Sequence, residues 1–305
     1  MLRFFIRRLI VALLVAATVM TLAFVMTRLS GDLAISIAGP NATQADIETV
    51  RKAYGLDRPL VTQFFDWVGR ASVGDLGESF FFKRRVSELI GERLPVTLTL
   101  GLTGLVIALL VSLPLGILAA VKENTAFDRL VQIVALLGQA MPSFWLGLLL
   151  MIVFGLQLGW LPISGTDSWQ GYIMPGVVLA FSAIPALTRL TRAGMIQAMA
   201  SDYIRTARAK GLIRRLIINR HALKNALLPV VTVIGIEFAF LIGGLVVTEQ
   251  VFNLNGIGRL MVLSVQNQDY TLTQALVMVV VTIAVLSNLV VDLFYAWLDP
   301  RIRLA

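Results

Sequence analysis

Seven cations, Arg205, Arg208, Lys210, Arg214, Arg215, Arg220 and Lys224, fall within twenty residues, and Asp202 is the only nearby acid. Such a segment offers no nucleophile and no acid–base pair; its chemistry is the recognition of an anionic surface or an acidic partner. The chain has no cysteine and a single histidine, His221. Disulfides, thiolate chemistry, cysteine-ligated metals and multi-histidine metal sites are therefore excluded within it. No G-x-x-x-x-G-K-S/T loop occurs to cradle a nucleotide, and neither H-E-x-x-H nor G-x-S-x-G is present. If the protein uses ATP, another polypeptide must bind it. The remaining candidate is Glu237, set in an apolar run. An ionised side chain at membrane depth costs about 2.5–3.5 kcal/mol on insertion scales. Glu237 either lines a path and meets a cationic solute, or bonds to a neighbouring helix.

The elements that must position these residues are membrane spans. The chain is 57% hydrophobic and 14% charged over 305 residues, with a mean hydropathy of +0.83. A soluble domain carries about 25% charged residues. A net charge of +8 and a pI near 10.3 would suit nucleic acid, but in a multi-span protein excess Lys/Arg sets orientation, so no nucleic-acid partner is expected. Six continuous apolar runs reach the roughly 20 residues that a crossing needs: about Leu9–Met26, Val96–Val121, Leu130–Leu158, Met174–Met199, Leu227–Phe252 and Leu272–Leu298. Their continuity rules out barrel strands. With the N-terminus inside, sixteen of the basic residues lie on the inner side. The ten on the outer side include nine in one long, acid-balanced loop. The expected fold is an all-α integral membrane protein of six helices, N-in and C-in. Four segments are expected: an anchor at 1–28, an outer loop at 29–94, a five-helix core at 95–299 with an inner loop at 200–228, and a cytosolic tail at 300–305.

The outer loop carries its own helix signals. Thr43-x-x-Asp46 has capping-box spacing, followed by Ile47, Val50, Tyr54 and Leu56, with Gly55 as a stop. A second helix is expected from Pro59 to Val68. This loop either docks an external partner or covers the pore mouth. On the inner side, Ile204, Ala207 and Leu212, then Leu216, Ile217, Ala222 and Leu227, recur at helical spacing on either side of Gly211. Gly211 is placed to break the segment into two angled pieces, and Ala207 and Ala209 are small enough for close approach of a neighbour. Pro229 then marks re-entry into the membrane. A loop serving topology alone, resting on anionic lipid, is the competing reading. Pro114, Pro142 and Pro185 are expected to kink their spans, and Gly243-Gly244 to mark a close helix contact.

Arg205-Thr-Ala-Arg-Ala-Lys-Gly211, followed by Arg220-His-Ala-Leu-Lys-Asn-Ala-Leu-Leu-Pro229, resembles the EAA loop of ABC-importer permeases in the form used by the dipeptide/oligopeptide/nickel branch. The general motif begins Glu-Ala-Ala. Arg205 and Thr206 replace its first two residues, whereas Ala207 and Gly211 match. Further matching stretches run in order along the chain: Gly55-Leu-Asp-Arg-Pro-Leu60, Gly74-Asp-Leu-Gly77, Glu92-Arg-Leu-Pro95, Pro142-Ser-Phe-Trp-Leu-Gly147, Leu158-Gly-Trp-Leu-Pro162, Gly256-Ile-Gly258 and Leu298-Asp-Pro-Arg301. Gly31-Asp32-Leu33 departs from the common Gly-Asp-Pro.

The resemblance implies a non-catalytic permease of the first type, in a bacterial inner membrane. It implies a coupling helix at Arg205, Thr206, Ala207, Arg208, Ala209, Lys210 and Gly211, closed by Pro229, that sits in an ATPase groove. A second homologous permease, two ATPase subunits holding ATP and Mg, and a periplasmic substrate-binding protein are the implied partners. No cofactor is expected in this chain. Candidate solutes are dipeptides, oligopeptides, glutathione, nickel chelates and opines. The alternative is a self-contained secondary transporter with Glu237 as its ion or proton site; it predicts an inverted internal repeat, and none is visible.

Overall fold

The computed structural model describes residues 2–39 and 41–298, with side chains at 2–5, 30, 139, 228, 232, 236–244 and 291–298 outside the description. The expected tail and Asp299–Arg301 of the last matching stretch also lie outside the described residues. In chain order the elements are α1 (Leu2–Ser30), α2 (Leu33–Ala38), α3 (Gln44–Ala53), α4 (Leu60–Ser72), the two-residue strands β1 (Glu78–Ser79) and β2 (Arg84–Arg85), α5 (Val86–Val121), α6 (Ala126–Ala140) and α7 (Ser143–Leu150). There follow α8 (Ile173–Met199), α9 (Asp202–Ala209), α10 (Arg214–Leu216), α11 (Leu223–Ala226), α12 (Leu228–Val251), α13 (Ile257–Gln266) and α14 (Tyr270–Leu298). Among the described residues, four helices are long and apolar enough to cross a membrane: Ile6–Leu29, Val86–Val121, Trp169–Met199 and Tyr270–Val290. A fifth is counted if α6 and α7, continued by a π-helical turn over Met151–Gln157, form one broken span.

The break falls at Pro142, where a kink is expected from sequence, and it goes further than a kink: the run expected as one span from Leu130 to Leu158 is two helical pieces. The chain is extended at Met141 and Pro142, and the two pieces meet at 102°. Pro142 lacks the N–H that would continue α6, and it biases Met141 toward the β region. Pro185 behaves differently: it stays inside α8, buried, with no break in the helix. Pro114 likewise leaves α5 unbroken, and α5 begins ten residues before the apolar run does.

The chain divides into two compact units. One is built on Leu98–Leu254; the other joins Arg7–Thr97 to Asn255–Leu286. In the first, α8 is the central helix, and small residues let its neighbours approach closely. A Cβ at Gly104 would meet Leu179 Cβ at 2.9 Å, and one at Gly116 would meet Thr188 O at 2.8 Å. Without a hydrophobic drive between helices in lipid, such close van der Waals contact holds spans together. Asp128 adds a polar tie. It is 1% exposed and takes a bidentate pair from Arg192 at 2.6 and 2.7 Å.

In the second unit, Thr43 and Asp46 form a reciprocal capping box at the start of α3. Gly55 stops the following turn with φ +64°. The second loop helix runs to Ser72, four residues beyond the expected Val68. Its Phe64 and Trp67 pack with Phe24 at ring separations of 5.4 and 6.2 Å. The unit's core joins Val86, Leu89 and Ile90 to Ile257 and Leu260 of α13 and to Leu272, Ala275 and Leu276 of α14.

A buried acid closes this arrangement. Asp269, fully buried, accepts hydrogen bonds from Ser79 Oγ at 2.5 Å and from the backbone N–H of Phe81 and Leu272. The β1–β2 turn is thereby pinned to the start of α14.

Candidate coupling site

The basic segment folds as two short helical pieces. α9 is preceded by Ser201 in extended backbone and followed by Lys210 as its C-terminal cap. Gly211 then takes φ +76°, and a Cβ there would meet nothing within 4 Å. The left-handed backbone, and no steric contact, is what requires glycine at this point. The return begins at Arg214 and runs through a π-helical stretch, Ile217–Ala222, into α11.

One face of this hairpin is apolar and shut. Ile204 is fully buried and Ala207 is 6% exposed, clustered with Met195, Ala198, Ile217, Ala222 and Ala226. The approach is close: a Cβ at Gly194 would lie 2.6 Å from Ala226 O. Burying an isoleucine side chain is worth about 1.5–3 kcal/mol, so this face seats the hairpin on the end of α8. The small side chain of Ala207 serves packing within the chain here.

The other face is cationic and open. Arg205, Thr206, Arg208, Ala209, Lys210, Arg214, Arg215, Arg220 and Lys224 are all exposed. Asp202 pairs with Arg205 at 3.3 Å, with the two side chains 93% and 81% exposed. A pair so exposed contributes between 0 and about 1 kcal/mol. Tyr203 and Ile213 stand among the cations, 43% and 69% exposed. Arg214 also reaches back at 3.4 Å to the carbonyl of Val121, the last residue of α5, where a cation complements the helix dipole.

The remaining sequence candidates separate from this hairpin. Pro229 occupies the first turn of α12, exposed, where its missing N–H costs nothing. The side chain of Glu237 and the pair Gly243-Gly244 lie outside the described side chains. Glu249 of α12 is fully buried and engaged, an acid the sequence reading passed over. Arg192, one of the inner-side cations, is committed to Asp128. The signal for that acid was legible: Thr125-x-x-Asp128 has capping-box spacing, and Thr125 caps α6. Among the described residues no group of three His, Asp or Glu stands close enough to hold a metal ion.

Residues 112–304 match the family described as the binding-protein-dependent transport system inner membrane component, and residues 1–101 match its N-terminal counterpart. The chain is 43% identical over 304 residues to the glutathione transport system permease protein GsiC of Escherichia coli, covering 99% of both chains. Against GsiC of Shigella flexneri the identity is 42% over the same length. Among solved structures, the inward-facing MetNI methionine ABC transporter matches with a TM-score of 0.60 at 18% identity, over 69% of this chain and 96% of that one. An amino acid ABC transporter matches with a TM-score of 0.53 at 16% identity, over 68% and 94%. These two likenesses speak for the fold. The sequence matches reach further: the chain belongs to the binding-protein-dependent inner-membrane transport components, as a non-catalytic permease subunit of an ABC importer of the peptide branch.

Proposed function

We propose that this permease moves small peptides or related solutes inward by alternating access, and that the α9 hairpin is where ATPase motion enters the chain. The observation that carries this reading is the two-faced hairpin. Ile204 and Ala207 are locked to the end of α8, while Arg205, Arg208, Lys210 and the apolar Tyr203 and Ile213 are left open. A loop serving topology alone needs the cations but neither the buried seat nor exposed apolar groups among them. Aromatic and arginine side chains are the commonest strong contacts at protein interfaces.

In this reading the chain has six spans, N-in and C-in, with residues 29–94 outside the membrane, 95–299 as the permease core and the hairpin of 200–228 in the cytosol. A homologous permease completes a heterodimer, two ATPase subunits hold ATP and Mg, and a periplasmic protein delivers the solute. The hairpin passes ATPase closure to α8 and α12. Glutathione, carried by the GsiC systems, is the first solute to test.

Arg208→Glu and Lys210→Glu reverse charge on the open face without touching the seat. The expected result is loss of ATPase co-purification and of uptake, with normal membrane insertion. Intact ATPase binding and uptake in the double variant would refute the assignment.

A further inference from the structure

Helix α4 (Leu60–Ser72) has three kinds of surface, and one of them is covered. Its seat holds the buried Gln63 with Phe64 and Trp67, the two rings that close on Phe24 of α1. At about 100° per residue, the flank to one side of that seat carries Val61, Phe65 and Val68, spaced i, i+4, i+7. Val61 and Phe65 are each 67% exposed; Phe65 leans edge-on against Phe64 at 5.6 Å. The flank on the other side carries Thr62, Asp66 and Arg70, all exposed. Its charges are matched locally, Asp66 by Arg58 at 3.3 Å and Arg70 by Asp75 at 2.8 Å. The apolar arc thus runs past the seat on one side only. Packing on α1 requires Phe64 and Trp67, but it does not require a valine and a phenylalanine on the open flank.

The position of the seat says what this flank meets. The span of α1 runs from Ile6 to Leu29, and Phe24 sits five residues before its end, about 7.5 Å of helix rise. A helix packed on Phe24 is therefore level with the boundary between acyl chains and headgroups. Amphipathic helices lie at that boundary with the apolar face about 5–10 Å deep. At that depth one open flank of α4 meets lipid and the other meets water, and the residue types on the two flanks differ accordingly.

We propose that α4 is an interfacial helix. Val61, Phe65 and Val68 are set into the acyl region at the Leu29 end of α1, and Thr62, Asp66 and Arg70 are turned to water. Because the charges of the polar flank are paired within the loop, the contact needs no anionic headgroup. The loop of residues 29–94 is thereby tied to the bilayer through its own helix as well as through its ends. That the leaflet is the outer one rests on the N-in reading; the burial itself does not, and it is measured without reference to the hairpin.

The chain has no cysteine, so a single spin label reports one site. Val61→Cys, Phe65→Cys, Thr62→Cys and Asp66→Cys are labelled one at a time in the full chain, in phosphatidylcholine bilayers. Collision rates are read with oxygen, which concentrates in lipid, and with a water-soluble nickel chelate. Positions 61 and 65 should show an oxygen-to-nickel ratio several-fold above that at 62 and 66. Nickel access at 61 and 65 equal to that at 62 and 66 would overturn the inference and leave a surface open to an external protein. Low access to both reagents at 61 and 65 would overturn it in favour of contact with a second copy of the chain. Lipid-like ratios at all four positions would overturn it as well, because the helix would then be immersed. If an apolar variant fails to insert, Ser72→Cys, exposed on the same flank, takes its place with the same result required.

Discussion

The α9 hairpin and the β1–β2 turn are both short segments between long helices, yet they are held by opposite means. The hairpin is seated by apolar side chains, Ile204, Ala207 and Ile217, and its ionic groups all face outward. The β1–β2 turn is held through a buried carboxylate, with Asp269 accepting from Ser79 across 190 residues of sequence. Apolar seating is tolerant of small sliding and leaves the polar face free for another protein. A buried carboxylate with several donors specifies one geometry and is costly to disturb. The difference suits the coupling proposed for the hairpin and a single fixed geometry for the turn.

Four substitutions would break or sharpen that contrast. The largest effect is expected from Ile204→Asp, which places an uncompensated charge in a fully buried seat at a cost of about 3–5 kcal/mol. The hairpin should become protease-sensitive and uptake should vanish, while helices outside the first unit keep their protection. Asp269→Ala comes next. It orphans the Ser79 hydroxyl and two backbone N–H groups, for about 3 kcal/mol. Hydrogen exchange should rise at 78–85 and at the start of α14; a response confined to the hairpin would dissolve the contrast.

Gly211→Ala should cost only about 1 kcal/mol, because the penalty is left-handed backbone alone and the Cβ enters open space. ATPase binding should persist with reduced uptake per ATP hydrolysed. The smallest effect belongs to Thr43→Ala, at about 0.5–1 kcal/mol, read as fraying of α3 by hydrogen exchange. The same helix end carries a pH signature. Hydrogen bonds from the Thr43 side chain and backbone N–H hold the Asp46 carboxyl below its usual range. Its contribution is therefore present at neutral pH and lost as pH falls through that lowered value, so α3 should fray on acidification, and less so in Thr43→Ala.

The sequence was legible wherever the determining interaction was local. Hydropathy located the long helices, Thr43 and Asp46 announced α3, and helical spacing around Gly211 outlined the hairpin with its break. It was less informative where local pattern and tertiary packing diverge. Ala207 has the size of a contact residue, and only the fold shows it turned inward against Met195 and Ala226. The run from Leu130 to Leu158 reads as one span because hydropathy continues through Met141-Pro142, where the backbone does not. Helix α13 escaped notice because ten residues are too few for a span and it packs between more prominent elements. The Asp128–Arg192 and Ser79–Asp269 contacts join residues 64 and 190 positions apart, distances at which no periodicity speaks.

The central claim is that the open face of the hairpin, and not its seated face, meets the ATPase. The absence of cysteine makes a direct test simple, since any introduced thiol is the only one in the chain. Single cysteines at Arg208, Lys210 and Ile204 can be crosslinked in the assembled transporter with a short bifunctional reagent. Crosslinks to the ATPase subunit are expected from Arg208→Cys and Lys210→Cys, and none from Ile204→Cys. Crosslinking from Ile204→Cys with silence at the two exposed positions would contradict it.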